Sequence, residues 1–361
     1  TLLERAEIQP SCQEDGMKVA QVTNSQLESL CTVDEPLTDI PTMLKISVLC
    51  LRLYGHGLSL SAVGQCFGAD KTTILRWIIG LAIGFYPIIS LWIKQRVKGG
   101  VLHMDEKWIK IKGKFHYWFV AIDYQTGLPI WQELIPSTNQ WHLQWVLMAV
   151  KSTPYKVSAI VTDGLKAYIP AIVQVFNGTV IHQLCLFHHQ QNVTKFVKKH
   201  FTDSQLSQQL KADLKAVFQT NDKRTVKNRL AKLADKAHQL GILDWVNSVT
   251  QLLPNLLPAI GSSRIPSTNN AIERFFRSFN QFYKTRNGFF SILSAKRQLI
   301  LFLVFHLFTQ AHNGIAPIET IIPEAKRMPF YKLMNSPFIS LDIWQSKQPQ
   351  SLAFHIPHKA A

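Results

Sequence analysis

The sequence predicts an α/β protein built on a mixed sheet with its elements in the order βββαβαβα, and two observations support this fold class. First, three short runs rich in β-branched and aromatic residues, Val101–Lys112, Lys114–Tyr124 and Leu128–Leu134, are separated by glycine-containing turns, a pattern typical of an antiparallel meander. Second, helical and strand-like segments alternate after these runs. A basic region from Ser204 to about Leu253 shows no strand pattern, which predicts an all-helical insertion.

Beyond the three runs, the predicted elements alternate and then continue past the insertion with two helices. In order they are a helix at about Asn139–Lys151, a strand at Val157–Thr162, a helix, a strand at Thr179–His182, a long helix from about Leu186, and helices at Ser267–Tyr283 and Ser291–Thr309.

Three helices are expected before the sheet, at Thr42–Tyr54, Ser59–Cys66 and Lys71–Ile83. The last two are joined by Phe67-Gly68-Ala69-Asp70, a turn that suits a helix-turn-helix motif. An ordinary helical hairpin would give the same pattern. The side chains that would face a DNA major groove or its phosphates are Lys71, Thr72, Thr73 and Arg76.

Composition indicates a globular protein with a polyanionic partner. The chain has 361 residues, 47% of them hydrophobic, and a formal net charge of +16 with a pI of about 9.7. Residues 1–40 hold eight acidic groups and two basic ones, so the basic character belongs to the remainder, where nucleic acid or an anionic membrane surface could bind. Five scattered cysteines without a Cys-x-x-Cys pair indicate a reducing compartment and exclude a disulfide scaffold.

Two apolar runs raise the question of a membrane. Ile78–Ile93 carries no charge, but it is interrupted by Gly80, Gly84 and Pro87 and is shorter than the ~20 residues of a membrane span. Leu299–Phe308 is shorter still. We therefore expect buried helices and no membrane partner.

Three acidic residues occupy positions that suit catalysis. Asp105 lies within the first predicted strand, Asp163 at the C-terminal end of the fourth, and Glu273 in the first turn of a helix that Ser267, Thr268 or Asn269 could cap. Ligands of such sheets gather at strand ends, and the first and fourth strands can be neighbours. Singly, each acid has an ordinary structural explanation, as a surface aspartate, a turn residue or a glutamate favoured by the helix dipole.

Together, on a basic chain, the three acids predict a metal site. Clustered carboxylates repel one another unless a cation is present, and hard oxygen ligands suit Mg²⁺ or Mn²⁺. Two such ions ~4 Å apart can clamp both the attacking and the leaving oxygen of a phosphoryl transfer.

Three segments resemble the motifs of DDE transposases of the Mutator-like and related bacterial insertion-sequence type, which have a ribonuclease H-like core. They are HMDEKWIKIKGKFHYWFVAIDYQTG, IVTDGLKAYIPAI and STNNAIERFFRSFNQFYKTRNGFFSILSAKRQL. Asp105, Asp163 and Glu273 stand at their acidic positions, and CLFH matches the family's Cys-x-x-His signature at Cys185 and His188. The long stretch before Glu273 suits members with a helical insertion. The resemblance covers roughly residues 40–310.

The resemblance implies a DNA transposase. Water would attack a phosphodiester at the element end, and the freed 3′-OH would attack target DNA. Asp105, Asp163 and Glu273 would be catalytic and would hold two Mg²⁺ (or Mn²⁺) ions. The expected partner is double-stranded DNA, both element ends and target, bound by a homodimer or higher homo-oligomer. The expected location is the cytoplasm, on the nucleoid.

Other residues are ambiguous between structural and functional roles. His182, Cys185, His188 and His189 form the pattern H-x-x-C-x-x-H, which suggests zinc, but no fourth ligand is evident and a packing role is favoured. Trp245 is either a core residue or a platform for an unpaired base. Basic residues expected to follow the DNA backbone are Lys195, Lys198, Lys199, Arg274, Arg277, Lys284 and Arg286.

These observations predict four parts: an acidic arm (1–40), a helix-turn-helix DNA-binding domain (41–97), a ribonuclease H-like catalytic domain (98–310) with a helical insertion at about 204–260, and a proline-rich tail (311–361). Two alternatives remain open. One is a nuclease or domesticated DNA-binding protein of the same fold. The other is a helix-turn-helix regulator with a ligand-binding domain, which would need neither the metal nor the three carboxylates.

Overall fold

The computed structural model describes residues 9–14, 17–21, 42–201, 204–284, 286, 288–309 and 314–322. The chain divides into two compact units, one formed by residues 1–92 and 279–361 and the other by residues 93–278. Most of the predicted acidic arm and proline-rich tail lies outside the described residues. Within the arm, β1 (Gln9–Glu14) and β2 (Met17–Gln21) pair as an antiparallel hairpin. The tail begins with a 3₁₀ turn at Pro317–Thr320.

The three N-terminal helices are α1 (Thr42–Gly55), α2 (Leu60–Phe67) and α3 (Lys71–Arg96). They begin within a residue of their predicted starts, but α3 runs well beyond the predicted end at Ile83. Ile78, Phe85 and Ile89 recur at helical spacing and are almost fully buried. Their burial outweighs the ~3 kcal/mol that Pro87 costs inside a helix.

The length of α3 bears on whether this helix could span a membrane. It has 26 residues, and an 18-residue stretch of it reaches a mean hydropathy of 1.8, with 33% of that stretch buried in the protein. By length and composition this helix, alone in the described part of the chain, is apolar enough to cross a membrane. The sequence-based judgement that the run is too short is therefore wrong about length. Core helices of soluble proteins meet the same criterion.

The turn between α2 and α3 is tight. Gly68 adopts a left-handed conformation (φ 62°) after the last residue of α2, which an L side chain rarely tolerates. A Cβ atom on Gly64 would lie 2.3 Å from the carbonyl oxygen of Ala69, so only glycine lets the turn approach α2. Val63, Phe67 and Ile74 fill the space between the two helices and are buried.

The second unit contains a mixed sheet in the predicted βββαβαβα order. Its elements are β3 (Gly99–Ile111), β4 (Lys114–Asp123), β5 (Pro129–Ile135), α4 (Gln140–Lys151), β6 (Lys156–Thr162), α5 (Tyr168–Phe176), β7 (Ile181–Leu184) and α6 (Leu186–His200). The strand order is β5-β4-β3-β6-β7. The first three strands pair antiparallel, and β6 pairs parallel with both β3 and β7. The first and fourth strands of the pattern are therefore neighbours, as expected.

The last strand begins at Ile181, later than the predicted Thr179. Asn177 and Gly178 both have positive φ angles, so the chain leaves α5 through a left-handed cap. The backbone N–H and hydroxyl of Thr179 then donate to the carbonyl of Phe176 at 3.0 and 2.6 Å. Thr179 completes the end of the helix and is unavailable to the strand.

Three helices form the predicted insertion: α7 (Ser204–Ala216), α8 (Lys223–Ala237) and α9 (Leu243–Leu256). Their apolar faces share a core with α6, including Val193, Val197, Leu214 and Val226. The final helices are α10 (Asn270–Lys284) and α11 (Ile292–Phe308). Phe279 marks where the chain returns to the first unit, so α11 belongs to the same unit as the N-terminal helices.

Candidate active site

Two of the three predicted acids lie side by side at one end of the sheet. The parallel ladder between β3 and β6 pairs Leu102 with Ile160 and His103 with Val161. Continuing that register by two residues brings Asp105 alongside Asp163, which follows directly after β6. Asp105 is thus held inside a strand, and Asp163 stands where its strand ends.

The acids interact electrostatically. Burial and the neighbouring carboxylate of Asp163 raise the pKa of Asp105 to about 7, with a smaller contribution from Glu273. The Glu106 backbone N–H, which donates to Asp105 at 2.8 Å, and the nearby His188 act in the opposite direction. Asp105 is therefore partly protonated near neutral pH until a cation offsets the crowding of negative charge.

A buried aspartate of the same sheet makes the contrast clear. Asp123 is 2% exposed, and its carboxylate accepts hydrogen bonds from the Thr126 backbone and hydroxyl, both at 2.8 Å, and from the Tyr155 hydroxyl at 2.6 Å. These partners explain Asp123 as a structural residue that closes the β4–β5 turn. Asp105 has no comparable set of donors among the described residues.

Asn269 fixes the start of the helix that carries Glu273. This fully buried residue donates from its side-chain Nδ2 to the Met104 carbonyl at 3.0 Å and from its backbone N–H to the Cys185 sulfur at 3.3 Å. Its carbonyl accepts the first helical bond, from the Glu273 N–H at 3.2 Å. Asn269 does not cap α10 through its side chain, as the sequence had allowed, because that side chain bonds β3 instead. It therefore ties α10 to the strand position next to Asp105.

Glu273 faces the Cys-x-x-His segment. Its Oε1 lies 3.7 Å from His188 Nδ1, and that oxygen is buried without a hydrogen-bond partner among the described residues. Hydrogen bonding with the Cys185 side chain, together with the charges of Glu273 and Asp163, raises the pKa of His188 to about 9. The imidazolium therefore offsets part of the negative charge at the cluster.

Cys185, His188 and Glu273 form a compact group of possible metal ligands, whose ligand atoms all lie within 4.8 Å of one another. Sulfur, nitrogen and oxygen ligands suit Zn²⁺. In the described part of the chain, Asp105 and Asp163 do not join Glu273 in a group as compact as this one. The orphaned Glu273 Oε1 and the raised pKa of Asp105 nevertheless fit a hard cation that would supply positive charge near these acids.

The other histidines of the H-x-x-C-x-x-H pattern belong to the fold. His182 Nε2 lies 2.9 Å from the Thr162 hydroxyl, and burial lowers the pKa of His182 to about 4. His189 stacks on Trp245 with 6.3 Å between ring centroids, and Trp245 also stacks on Phe196. Trp245 is packed against the insertion core, which favours its structural interpretation.

Sequence reasoning missed Glu106 and its partner Tyr168. The fully buried Tyr168 hydroxyl donates to Glu106 Oε2, which joins β3 to the start of α5 just beyond Asp163. Burial, with contributions from the charges of Asp105 and Asp163, raises the pKa of Glu106 to about 8, although the hydrogen bond from Tyr168 acts in the opposite direction. The adjacent acids Asp105-Glu106 were the available signal, but the spacing of Tyr168 gave none.

The helix-turn-helix candidates begin α3. Lys71, Thr72 and Arg76 are exposed. Thr73 is half-buried, and its hydroxyl donates to Asp70 Oδ2 at 2.6 Å. Asp70 also accepts from the backbone N–H groups of Thr72 and Thr73, and these bonds lower the pKa of Asp70 to about 2. Thr73 therefore helps to cap the helix.

The remaining basic candidates fall into two groups. The exposed ones are Lys195, Lys198 and Lys199 on α6 and Arg274, Arg277 and Lys284 on α10. Arg286 departs from the prediction because its guanidinium lies over the rings of Phe282 (3.4 Å) and Tyr54 (4.1 Å), and its Nε donates to the Tyr54 hydroxyl at 2.9 Å. These contacts within the protein give Arg286 a structural role.

Residues 144–311 match the family described as "Transposase, Mutator family". The matched segment includes Asp163, Cys185, His188 and Glu273, whereas Asp105 lies before it. This match supports a transposase. Among curated proteins none matches the chain.

Among solved structures, the chain is similar to the Drosophila P element transposase in its strand transfer complex, with 11% identity over 89% of each chain and a TM-score of 0.29. A similarity at that level does not establish a shared fold.

Proposed function

We propose that the chain is a DDE-type DNA transposase whose catalytic residues are Asp105, Asp163 and Glu273. The observation that carries the proposal is the register between β3 and β6, which brings Asp105 beside Asp163. The hydrogen bond from Asn269 to Met104 holds the start of the helix that carries Glu273 at the same end of the sheet. The match of residues 144–311 to the Mutator-family transposases supports the same conclusion.

The proposed core is ribonuclease H-like. The strand order β5-β4-β3-β6-β7, with an antiparallel meander followed by parallel additions, supports this assignment. In this arrangement the acid on the central strand β3 and the acid after β6 share one end of the sheet, while the acid on α10 approaches from a covering helix.

Asp105, Asp163 and Glu273 would together hold Mg²⁺ or Mn²⁺. Such an ion would polarise the scissile phosphate and favour an ionised nucleophile, first water and then the freed 3′-OH. The chain's own part is to hold the carboxylates in place. Asp105, whose raised pKa lets it retain a proton near neutrality, would lose that proton if a cation were bound beside it. On the other side of Glu273, His188 Nδ1 lies 3.7 Å from its Oε1.

A transposase explains more observations than the alternatives do. A regulator with a helix-turn-helix and a ligand-binding domain requires no set of converging carboxylates, and a domesticated DNA-binding protein has no need to retain them. The exposed Lys71, Thr72 and Arg76 at the start of α3 would bind element-end DNA, and the exposed basic residues of α6 and α10 would bind its backbone.

The test separates DNA binding from cleavage. Asp163→Asn removes one charge at nearly constant volume, so element-end DNA should remain bound while Mg²⁺- or Mn²⁺-dependent cleavage falls by orders of magnitude. Asp244→Asn, an exposed position on α9, is the matched control and should cleave as the parent does. The proposal is refuted if the parent binds element-end DNA but does not cut it, and Asp163→Asn gives the same binding and the same lack of cleavage.

A further inference from the structure

The β3–β4 hairpin extends beyond the other strands as a two-stranded ribbon. The ladder between β3 and β6 ends at His103, and the ladder between β4 and β5 begins at Tyr117. Between these limits β3 and β4 continue to pair with each other as far as Ile111 and Lys114. In the described sheet, the residues from Trp108 through His116 therefore pair within this ribbon.

The ribbon has one buried face and one exposed face. Ile109 and Ile111 are 0% and 4% exposed, whereas the alternate residues Trp108 and Lys110 face solvent, as does Phe115 opposite Lys110. Exposures of 49% for Trp108 and 55% for Phe115 are unusual for such large rings. The buried face packs against the protein, and the exposed face carries two large rings that are open to solvent.

Lysine side chains lie beside the aromatic rings of the exposed face. Trp108 and Phe115 meet edge to face with 5.4 Å between centroids. Lys110 shares their face, and its Nζ lies 5.6 Å from the centroid of the Phe115 ring. Lys107 belongs to the other face by alternation, but its Nζ lies 5.5 Å from the centroid of the Trp108 ring. Contacts of this kind hold the ammonium groups close to the ring surface. The face therefore presents positive charge in a defined arrangement.

The tip of the ribbon is rigid and basic. Lys112 and Gly113 both have positive φ angles, 47° and 77°, as a two-residue hairpin turn requires. The turn places Lys112 beside Lys114, and both are exposed. From Lys107 through Ile122 the sequence contains no acidic residue. Repulsion between like charges disfavours a second copy of the chain on this face, and a polyanion complements it.

We propose that this ribbon is a docking surface for a DNA duplex, distinct from the position of the phosphodiester that is cut. The proposal rests on the proposed function for the identity of the polyanion. Strand alternation puts Trp108 and Lys110 on the opposite side of the sheet from Asp105. At ~3.3 Å per residue, Trp108 lies ~10 Å from Asp105 along β3, and Lys112 lies ~23 Å from Asp105 along the same strand.

The shape of the ribbon fits this partner. The major groove of B-DNA admits a two-stranded β-ribbon, and lysines along the ribbon and at its tip reach phosphates on either side. Trp108 and Phe115 would contact the sugars between them without forming ion pairs. The ribbon would thus hold DNA that flanks the reaction site, while Asp105, Asp163 and Glu273 act on the phosphodiester itself.

The experiment measures binding of the full chain to a 40-bp duplex of arbitrary sequence in EDTA, over a range of salt concentrations. Lys110→Ala combined with Lys112→Ala should weaken binding about tenfold near 0.1 M salt and should flatten the slope of log affinity against log salt by about 2, at ~0.9 per phosphate contact. Replacing both lysines by arginine should preserve affinity and slope. Trp108→Ala should lower affinity without changing the slope.

The matched control is Lys98→Ala combined with Lys156→Ala, which removes the same charge from exposed positions at the opposite end of β3 and β6. An unchanged slope in the ribbon variant, or an equal loss in the control, would overturn the inference. So would a ribbon variant that binds the duplex normally but loses self-association or binding to phosphatidylserine vesicles. Thermal melting of the lysine variants should match the parent, because their side chains are exposed. Trp108→Ala also loses the ring contact with Phe115, so its binding is compared at a temperature well below its own melting transition.

Failure of this inference and failure of the proposed function are distinguishable. If the parent cleaves DNA and the ribbon variant binds the duplex as the parent does, the ribbon inference is wrong and the transposase proposal stands. If the ribbon variant loses duplex binding but the parent shows no metal-dependent cleavage, the ribbon remains a DNA-binding surface and the catalytic proposal is wrong.

Discussion

Asn269→Ala tests whether one buried amide positions Glu273. The substitution removes the Nδ2 donor of the Met104 carbonyl, a bond of 3.0 Å at a fully buried residue. An unsatisfied buried carbonyl costs about 1–3 kcal/mol. For a unit of this size, ~2–4 °C of melting temperature is lost per kcal/mol, so the melting temperature should fall by about 2–12 °C.

The same change should reduce metal-dependent cleavage more than DNA affinity, because α10 loses its tie to β3 four residues before Glu273. A displacement of about 1 Å at a catalytic group can cost about 100-fold in rate. The assays are thermal unfolding, duplex binding and cleavage of a labelled element end. Asn228→Ala, at an exposed position on α8, is the control and should match the parent in all three.

A second substitution at Asn269 separates the hydrogen-bond donor from the shape of the side chain. Asn269→Asp preserves shape, but an ionised carboxylate cannot donate to the Met104 carbonyl. Burial raises the pKa of such an acid, and its protonated form can donate. The stability lost in this variant should therefore shrink as the pH falls. Unchanged melting and cleavage in Asn269→Ala would refute the positioning role.

Three further predictions concern other residues of the two units. In EDTA, the raised pKa of Asp105 means that the folded state holds a proton that the unfolded state has lost between about pH 4 and pH 7. The contribution of this group to the free energy of unfolding therefore falls as the pH rises. In denaturant titrations, Asp105→Asn should become more stable relative to the parent across that interval. A difference in free energy of unfolding between the two proteins that does not change with pH would contradict the electrostatic assignment. Cys185→Ser should weaken stability or activity without removing a metal. If elemental analysis finds stoichiometric zinc in the parent and none in the variant, Cys185 binds a metal instead. Arg286→Lys should lower the melting temperature, because lysine cannot reproduce the contacts with both aromatic rings, and should leave DNA affinity unchanged; loss of affinity at constant stability would restore the DNA-binding prediction.

Local sequence patterns were sufficient for most of the secondary structure. Alternation and glycine turns located β3, β4 and β5, and the apolar run before Asp163 located β6. The end of α3 was missed because Pro87 and two glycines ordinarily interrupt helices, and their cost is offset only by tertiary burial of Phe85 and Ile89. The start of β7 was missed because the left-handed cap that retains Thr179 depends on two consecutive positive φ angles.

The order of the strands could be predicted from the sequence, whereas the contacts around the acids could not. Strand order makes β3 and β6 neighbours, and the observed ladder between them then sets Asp105 level with Asp163. The bonds of Asn269 to Met104 and Cys185 join residues far apart in sequence, and no local periodicity encodes them. The contacts of Arg286 could not be predicted for the same reason, since charge alone cannot reveal that its guanidinium lies over two rings.

The order of the elements has a consequence for synthesis of the chain. The Cys185 N–H pairs with the Thr162 carbonyl, and the Leu186 N–H with the Ser267 carbonyl, so the bonds around the acids close only when late residues reach early strands. Such long-range pairing forms slowly, after local helices. A nascent chain that has not yet released α10 from the ribosome lacks both Asn269 and Glu273. Under the proposed function such a chain could not complete the proposed site, so competence to cut would arrive only once the segment through Lys284 has been made.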